Sequence, residues 1–413
     1  MAGISPLLAG AGRAEIRFPA GYFPSGEFDV PHDPLHARAL LLRQGETAFA
    51  LVTLELPSVR PWALTDALRM RAAECLGVPY DRVWLVMTHD LAAPHVPRDP
   101  EKRALHMAAL REAVAAAAAE AKARLCPVTL RRGEGACGIN ANRDEESAEG
   151  WWVGIAGRGP SDKTLSLLRL DDPAGRPAAV LYSYAIKSSV LEDTVMSDGR
   201  RYASGDVTGL AARRAEAALG CPVLFVMGAA GDQVPRQKAA YLALDENRHF
   251  RKVELREAGY EMLEALSGEL AEALLACAER ATPAEAAPLL RYDHRVLVLP
   301  AKKPYPKSLP EPPVLHYDYE PADPETLDIW ALALGDAALI GVKPEITTPT
   351  FAALKARSPF PHTLLAALVN GGQDYIATDW DLEHRTYPGL HTPFQSGADR
   401  AFTEAALEML KAL

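Results

Sequence analysis

Short hydrophobic runs alternate with amphipathic segments along the first third of the chain. Residues 48–54 and 82–88 are rich in β-branched and aliphatic side chains and predict strands, while residues 62–76 between them have the apolar spacing of a helix. This order predicts a β-α-β unit. A longer helix is predicted at 104–124, because Ala, Glu, Lys and Arg favour helix and Pro127 cannot continue one.

The same alternation continues to the end of the chain without a repeat or a low-complexity linker. It predicts one α/β unit over residues 1–413, with a mixed β-sheet core flanked by helices. The remaining predicted strands are 128–132, 164–170, 178–185, 223–227, 293–299, 337–342 and 364–370, and the remaining helices are 207–219, 247–281 and 398–411.

One proline-rich stretch interrupts this pattern. Residues 301–324 contain seven prolines, with Tyr305, Tyr317 and Tyr319 among them. Because proline lacks a backbone donor and restricts φ, the stretch is predicted to form neither a helix nor a central strand. We expect an ordered insertion, which is either a plain surface connection or a lid over a site.

The composition narrows the class of partner. Of the 413 residues, 48% are hydrophobic and 24% are charged, and the net charge is -10, which suits a globular protein with a substantial core. A negative protein is poorly suited to nucleic acid or to an anionic membrane, since both attract basic surfaces. We therefore expect a small-molecule substrate, no nucleic-acid or membrane partner, and leave homo-oligomerisation open.

The cysteines and the N-terminal segment bear on the compartment. The five cysteines are widely spaced and show no C-x-x-C pair, so neither a disulfide framework nor a zinc ribbon is indicated. Residues 1–18 lack a basic segment followed by a sustained apolar run, and the longest apolar run, 113–119, is too short to span a bilayer. These features predict reduced thiols and a cytoplasmic location.

Polar residues follow several predicted strands, which is where open α/β sheets place their sites. Each such residue alone is more often structural than functional. Together they put histidine, lysine and carboxylates at strand ends that could be neighbours, which predicts metal-assisted or acid–base chemistry. The residues in these positions are His89, Asp90, His95, Lys187, Asp232 and Glu345.

Several blocks of the sequence resemble a known family. They are G-A-G-R-A-E-I at 10–16, D-P-L-H-A-R-A-L at 33–40, N-R at 142–143, G-A-A-G-D at 228–232 and S-P-F-P-H-T at 358–363. In their order and spacing they are similar to the N-terminal domain of the neutral/alkaline non-lysosomal ceramidases. The resemblance covers nearly the whole chain and implies the fold of that family's catalytic domain.

The resemblance also implies the site of a zinc amidase. Family members bind zinc through two histidines, a glutamate and a tyrosine. His89, Glu345 and Tyr375 match three of these positions, and they would be the ligands if zinc is retained. Tyr387 has the spacing of a second tyrosine in the site.

Two positions depart from the family pattern. Leu91 stands where a second histidine of the first block is expected, and Lys187 stands where the later zinc-binding histidine is expected. A lysine ammonium has no lone pair and repels a metal ion. A metal-free site is therefore favoured, in which the charge of Lys187 neutralises Glu345. The alternative keeps a metal by recruiting a further ligand from Asp90, His95 or Asp232.

These matches assign roles to the site residues. His89 would act as a general base or acid, Lys187 as an electrostatic stabiliser beside Glu345, and Tyr375 or Tyr387 as a hydrogen-bond donor to a developing oxyanion. Arg38 has two interpretations, as a substrate-binding residue or as a structural tie between the N-terminal segment and the sheet. The substrate-binding candidates are Asp90, His95, Asp232 and Arg38.

The sequence thus predicts a ceramidase-like hydrolase that acts on an amide or related acyl bond of a small polar metabolite. Two alternatives stay open. One is a non-catalytic ligand-binding homologue on the same fold. The other is a lyase or isomerase that uses Lys187 as a base or as an imine-forming amine, after burial lowers its pKa.

Overall fold

A computed structural model describes residues 5–284, 288–310, 312–372 and 374–413. Among these residues, no helix is both long enough and apolar enough to cross a membrane. All five cysteines are free.

The helices are α1 (Trp62–Leu76), α2 (Pro100–Ala123), α3 (Asp206–Leu219), α4 (Ala258–Glu279), α5 (Thr348–Lys355), α6 (Asp379–His384), α7 (Tyr387–His391) and α8 (Ala398–Ala412), with a 3-10 turn at Tyr80–Arg82.

Strands make up much of the rest of the described chain, and they vary from two to fourteen residues in length. They are β1 (Leu8–Glu15), β2 (Val30–Pro31), β3 (His36–Gln44), β4 (Thr47–Leu54), β5 (Val83–Met87), β6 (Cys126–Pro127), β7 (Thr129–Ala136), β8 (Asn140–Ser147), β9 (Gly150–Ala156), β10 (Thr164–Asp171), β11 (Pro177–Tyr184), β12 (Tyr202–Ala203), β13 (Val223–Met227), β14 (Gln233–Pro235), β15 (Ala240–Leu244), β16 (Phe250–Glu254), β17 (Thr282–Pro283), β18 (Leu290–Lys302), β19 (Pro321–Leu334), β20 (Ala337–Val342), β21 (Glu345–Ile346), β22 (His362–Ala366) and β23 (Tyr375–Ile376).

Three sheets form the framework. Their strand orders are β5-β4-β3-β1-β6, β13-β11-β10-β7-β17 and β18-β19-β20-β22. Each sheet is mainly antiparallel but contains one parallel pair: β4 with β5, β11 with β13, and β20 with β22. A helix, α1, α3 or α5, lies between the two strands of each pair along the chain, as the connection between parallel strands requires.

Alternate side chains of the sheets face different cores. Leu40 and Leu42 of β3 point into an apolar core that the three sheets share, together with Leu168 and Leu332 of the other two sheets. Leu41, between them, packs in a second core with the helices α1 to α4, and a third core joins the last sheet to α5 and α8. This alternation follows from the strand pleat.

The glycines of the block at 10–16 have a packing role. Gly10 and Gly12 lie on β1, and a Cβ at either position would clash with the backbone of α2, at the carbonyls of Ala121 and Ala117. Glycine therefore lets α2 pack directly on the first sheet.

The fold class predicted from the sequence, a mixed β-sheet core flanked by helices, is confirmed. The bounds predicted for 62–76, 223–227 and 337–342 agree with α1, β13 and β20. The prediction of one helix over 247–281 is wrong in its first part, because Phe250–Glu254 pairs with β15 as a hairpin before α4 begins.

The prediction for 301–324 needs correction at both ends. Ala301 pairs with Ala322 and Lys302 with Pro321, so the connection between β18 and β19 is shorter, at 303–320, and its residue 311 lies outside the described residues. Proline is tolerated in this part of β19 because β20 pairs only with its later residues, from Ile329 onward. The prolines thus lie where the strand has one open edge.

Candidate active site

The carboxyl ends of the three parallel pairs bring four predicted residues together. His89 follows β5, Lys187 follows β11, and Glu345 follows β20. Tyr375 comes after β22 and is paired with Glu345 in the short β21–β23 sheet. The loops after β5 and β11 are also joined, since Ser188 N–H donates to the carbonyl of His89. We refer to His89, Lys187, Glu345 and Tyr375 as the Glu345 cluster.

Glu345 lies at the centre of this cluster. Its Oε1 is 3.1 Å from Nε2 of His89, and its Oε2 is 2.7 Å from Nζ of Lys187. Lys187 Nζ also donates to the hydroxyl of Tyr375 at 3.3 Å. The side chains of Lys187 and Glu345 are only 3% and 5% exposed, whereas that of His89 is 16% exposed. His89 is therefore the most accessible member of this ion pair network.

The backbone of His89 adopts an unfavourable conformation. Its φ of 53° lies in the left-handed region, which costs roughly 1–2 kcal/mol for a residue with a Cβ. Such conformations persist where the surrounding structure enforces them, and they concentrate at functional sites. Here the conformation accompanies the bond between the imidazole and Glu345.

Burial and charge set the protonation states of the cluster. Burial raises the pKa of Glu345, but the charge of Lys187, together with His89 and Arg143, outweighs it and lowers the pKa well below its usual range. Burial and the charge of Arg143 lower the pKa of Lys187 to about 8, against the opposing effect of Glu345. Burial raises the pKa of Tyr375 well above 10.0. At neutral pH the cluster therefore holds a carboxylate, an ammonium and a neutral phenol.

Arg143 adds a second cation that the sequence did not single out as a site residue. It lies on β8 with its guanidinium 5.4 Å from the ring centroid of Tyr375 and 4.7 Å from that of Tyr387. The residue is 5% exposed, yet its Nε and Nη2 have no hydrogen-bond partner among the described residues. Buried donors without acceptors are costly, so these nitrogens are suited to an anionic or developing anionic group. The only signal in the sequence was the N-R block at 142–143.

Tyr387 packs against the ring of Tyr375. Its ring meets that of Tyr375 edge-on, with the centroids 5.7 Å apart, and it also contacts Trp152 and His391, at 4.9 and 4.3 Å. Trp152 lies in β9. The position of Tyr387 beside Arg143 makes it an aromatic neighbour of the Glu345 cluster.

Three of the predicted substrate-binding residues have structural partners elsewhere. Asp90 is fully buried and accepts a nearby backbone N–H, and burial raises its pKa well above the usual value. His95 is half-exposed and pairs with Glu27. Asp232 accepts bonds from the backbone and hydroxyl of Thr348, both at 2.9 Å. Among the described residues, no side-chain hydrogen bond or ion pair joins these three to the Glu345 cluster.

Arg38, the fourth predicted substrate-binding residue, belongs to a buried network of ion pairs. Its Nη1 is 2.5 Å from Glu55, which follows β4, and its Nε is 2.7 Å from Glu216 of α3. Arg13 binds Glu216 from the other side. All three guanidinium nitrogens of Arg38 are engaged with carboxylates. The structure therefore places Arg38 as a tie between the first sheet and α3, in line with the structural interpretation.

Replacing Arg38 with methionine should lower the free energy of unfolding by about 3–5 kcal/mol, because buried Glu55 loses its arginine counter-ion and buried Glu216 keeps only the half-exposed Arg13. Arg13→Met is the matched control, since the Arg13 side chain is 42% exposed and its loss should cost less than about 1 kcal/mol. Urea unfolding at neutral pH measures both values. Equal losses in the two variants would contradict the network's dependence on Arg38.

Glu55 should make stability depend on pH. Burial opposes the charge of Arg38, which nonetheless lowers the pKa of Glu55 from 4.5 to about 2. Since the pKa is depressed in the folded state, the stabilisation is complete above the unfolded value and is lost as the pH falls toward the folded one. The stability difference between wild type and Glu55→Gln should therefore shrink by up to about 1.4 kcal/mol per pH unit below pH 4.5. Urea unfolding between about pH 7 and 3.5 checks this, and a constant difference would oppose it.

The side chains of the Glu345 cluster are not a suitable set of ligands for a zinc ion. Zinc sites use neutral imidazoles, thiolates and carboxylates as ligands. Here Lys187 pairs with Glu345 as an ammonium, and Tyr375 holds its proton. In the part of the chain that the structure describes, no group of three His, Cys, Asp or Glu side chains could hold a metal ion. Within the cluster, only His89 and Glu345 have lone pairs that are available to a metal ion.

The architecture and the cluster define an α/β protein with a candidate catalytic site at the carboxyl ends of its parallel strands. Its fold is similar to that of neutral ceramidase from Pseudomonas aeruginosa, with a TM-score of 0.73 and 17% identity over 99% of this chain and 75% of that one. The fold is also similar to that of a ceramidase complexed with C2, with a TM-score of 0.73 and 18% identity over 99% of this chain and 75% of that one. No family model and no curated protein matches the sequence. The resemblance seen in the sequence is thus confirmed for the fold, which is that of a divergent ceramidase-like protein.

Proposed function

We propose that this protein is a metal-independent hydrolase of an amide or related acyl bond in a small polar metabolite of the cytoplasm. The observation that carries the proposal is the position of Glu345 between Lys187 Nζ, at 2.7 Å, and His89 Nε2, at 3.1 Å. Lys187 supplies, beside this carboxylate, the positive charge that a metal ion would otherwise supply. His89 keeps one nitrogen for proton transfer.

His89 is the proton-transfer group in this mechanism. Its Nε2–H donates to Glu345, so Nδ1 keeps a lone pair, and Nδ1 is a buried nitrogen without a hydrogen-bond partner among the described residues. Glu345 is a poor base because its pKa is strongly lowered, and its role is to orient the imidazole. A carboxylate–histidine pair used in this way is a common basis of hydrolysis.

The bond changes follow from this assignment. Nδ1 removes a proton from water as the water oxygen attacks the carbonyl carbon of the substrate, and the carbonyl oxygen becomes an oxyanion. The two free nitrogens of Arg143 and the neutral phenol of Tyr375 are donors for that oxyanion, and Lys187 contributes positive charge in a buried, low-dielectric setting. The C–N bond then breaks, and the leaving amine takes the proton from His89.

The proposal is tested by assaying amine release from a panel of N-acylated amino acids and amino sugars, before and after dialysis against a chelator. We expect turnover that survives chelation in the wild type and is lost in Glu345→Gln. Loss of turnover on chelation, with recovery on adding zinc, would contradict the metal-independent mechanism. Thermal stabilisation by panel compounds without any turnover would favour a ligand-binding homologue instead.

A second candidate function uses Lys187 as a nucleophile. Its burial and its lowered pKa of about 8 favour this role. The neutral amine would attack a substrate carbonyl and release water to form an imine. Borohydride treatment in the presence of aldehyde and ketone metabolites reduces such an imine, and a mass increase on the peptide containing Lys187 would identify it. An unmodified peptide supports the hydrolase.

A further inference from the structure

A large cavity lies beside the site just described but is not part of it. Its volume is about 940 Å³. None of the four residues of the Glu345 cluster is among its lining residues. The lining includes buried Asn142, Asp144, Asp232 and Asp381, and the two tryptophans Trp151 and Trp380.

Strand β8 separates this cavity from the Glu345 cluster. Arg143 faces the rings of Tyr375 and Tyr387, whereas its neighbours Asn142 and Asp144 line the cavity. Successive side chains of a strand point to opposite faces. One strand thus contributes to two separate sites.

The cavity is acidic, and one buried carboxylate oxygen in its lining lacks a hydrogen-bond partner among the described residues. The lining contains five carboxylates but two arginines, of which Arg248 is paired with Glu146. Asp232 and Asp381 accept hydrogen bonds from threonines. Asp144, in contrast, is only 7% exposed, and its Oδ1 has no hydrogen-bond partner among the described residues.

The buried position of Asp144 is energetically unfavourable for its carboxylate form. Burial raises its pKa well above the usual value; Arg143 opposes this effect, while Asp232 and Asp381 add to it. A buried carboxyl oxygen without a donor is unfavourable. A cationic group in the cavity would supply the missing donor and would add positive charge to that of Arg143.

The geometry favours an organic cation over a metal ion. Within the described ranges no three carboxylate, histidine or cysteine side chains are arranged to hold a metal, and the volume is that of a small-molecule pocket. The rings of Trp151 and Trp380 meet edge-on with their centroids 5.0 Å apart. Indole faces attract cations and also cover aliphatic chains.

We propose that this cavity binds a small organic amine, with its ammonium group on Asp144 and its carbon chain against Trp151 and Trp380. The site is distinct from the Glu345 cluster, so binding does not depend on the hydrolase mechanism. Asp144 is the residue that selects a cation. The tryptophans select an organic ligand.

The test uses spermidine as the probe, titrated into the full chain by calorimetry at about 150 mM salt. We expect one molecule per chain, a change in tryptophan fluorescence, and at least about tenfold weaker binding to Asp144→Asn. Glu46→Gln is the control, because Glu46 is exposed in the turn between β3 and β4, at the other end of the sheet from the cluster. Its affinity should equal that of the wild type.

Trp380→Ala provides a second variant whose fold should be unaffected, since Trp380 is 43% exposed. It should weaken spermidine binding and reduce the fluorescence change, of which Trp151 would account for the rest. The proposal is overturned if spermidine does not bind, if wild type and Asp144→Asn bind it equally, or if Trp380→Ala binds it unchanged. It is also overturned if calcium chloride alone binds with the same dependence on Asp144 and displaces spermidine, because the site would then be a metal site.

Discussion

Replacing Lys187 with histidine should raise the zinc content of the purified protein from well below one ion to about one ion per chain. The substitution removes the ammonium that pairs with Glu345 at 2.7 Å and provides an imidazole lone pair in its place. His89 and Glu345 then become two further ligands, and three protein ligands are sufficient for a zinc site. Elemental analysis of wild type and variant, both purified without chelator, measures the result.

The control for this experiment is Lys238→His. Lys238 is also a largely buried lysine in an ion pair, at 2.6 Å from Glu192, but it does not pair with Glu345. It should acquire no zinc. One zinc per chain in the wild type would mean that the site has been rebuilt around other ligands and would remove the metal-independent mechanism. Zinc in both variants would show adventitious binding to the new histidine.

Replacing His89 with glutamine should lower kcat/KM for the best panel substrate by about 10²–10⁴-fold, the usual contribution of a general base. Glutamine keeps an N–H that can donate to Glu345, so the carboxylate stays satisfied and the fold is retained. It has no basic nitrogen to activate water. Steady-state kinetics measure the change, and unfolding in urea confirms the integrity of the variant.

His95→Gln is the matched control, because His95 is half-exposed and pairs with Glu27. Its kcat/KM should stay within about twofold of the wild type. If His89→Gln lost less than about tenfold, His89 would not be the base. The pH profile would then identify the group that replaces it, with Lys187 the first to consider because burial lowers its pKa to about 8.

Local patterns in the sequence were sufficient for much of the fold. The crossover units around α1 and α3 have continuous apolar strands and helices with clear ends, and their bounds were predicted within a few residues, whereas α5 was not predicted. The strands β1 and β3 were missed as elements. Both carry small or charged residues, such as Gly10, Gly12 and Arg38, whose presence makes sense only once α2 and the buried carboxylates lie beside them.

The candidate site, like the fold, was predictable from the sequence only in part. Residues that end a hydrophobic run, such as His89, Lys187 and Glu345, could be identified because a polar residue there stands out against its neighbours. Asp90 and Asp232 stand out in the same way, yet they bond to nearby backbone or to Thr348. The sequence alone could not separate the two groups, because both have the same local pattern.

The sequence by itself determined the alternation of strands and helices, the family-like blocks, and the position of Lys187 at the end of a hydrophobic run. The sequence offered the pairing of Lys187 with Glu345 as a hypothesis, and the tertiary structure contains this pair. Only the tertiary structure decided that Arg143 faces the cluster while Asp144 faces a separate cavity. The physical reason is that secondary structure depends on neighbours along the chain. Charge pairing, burial and pKa depend instead on residues that are distant in sequence and meet only when the sheets pack together.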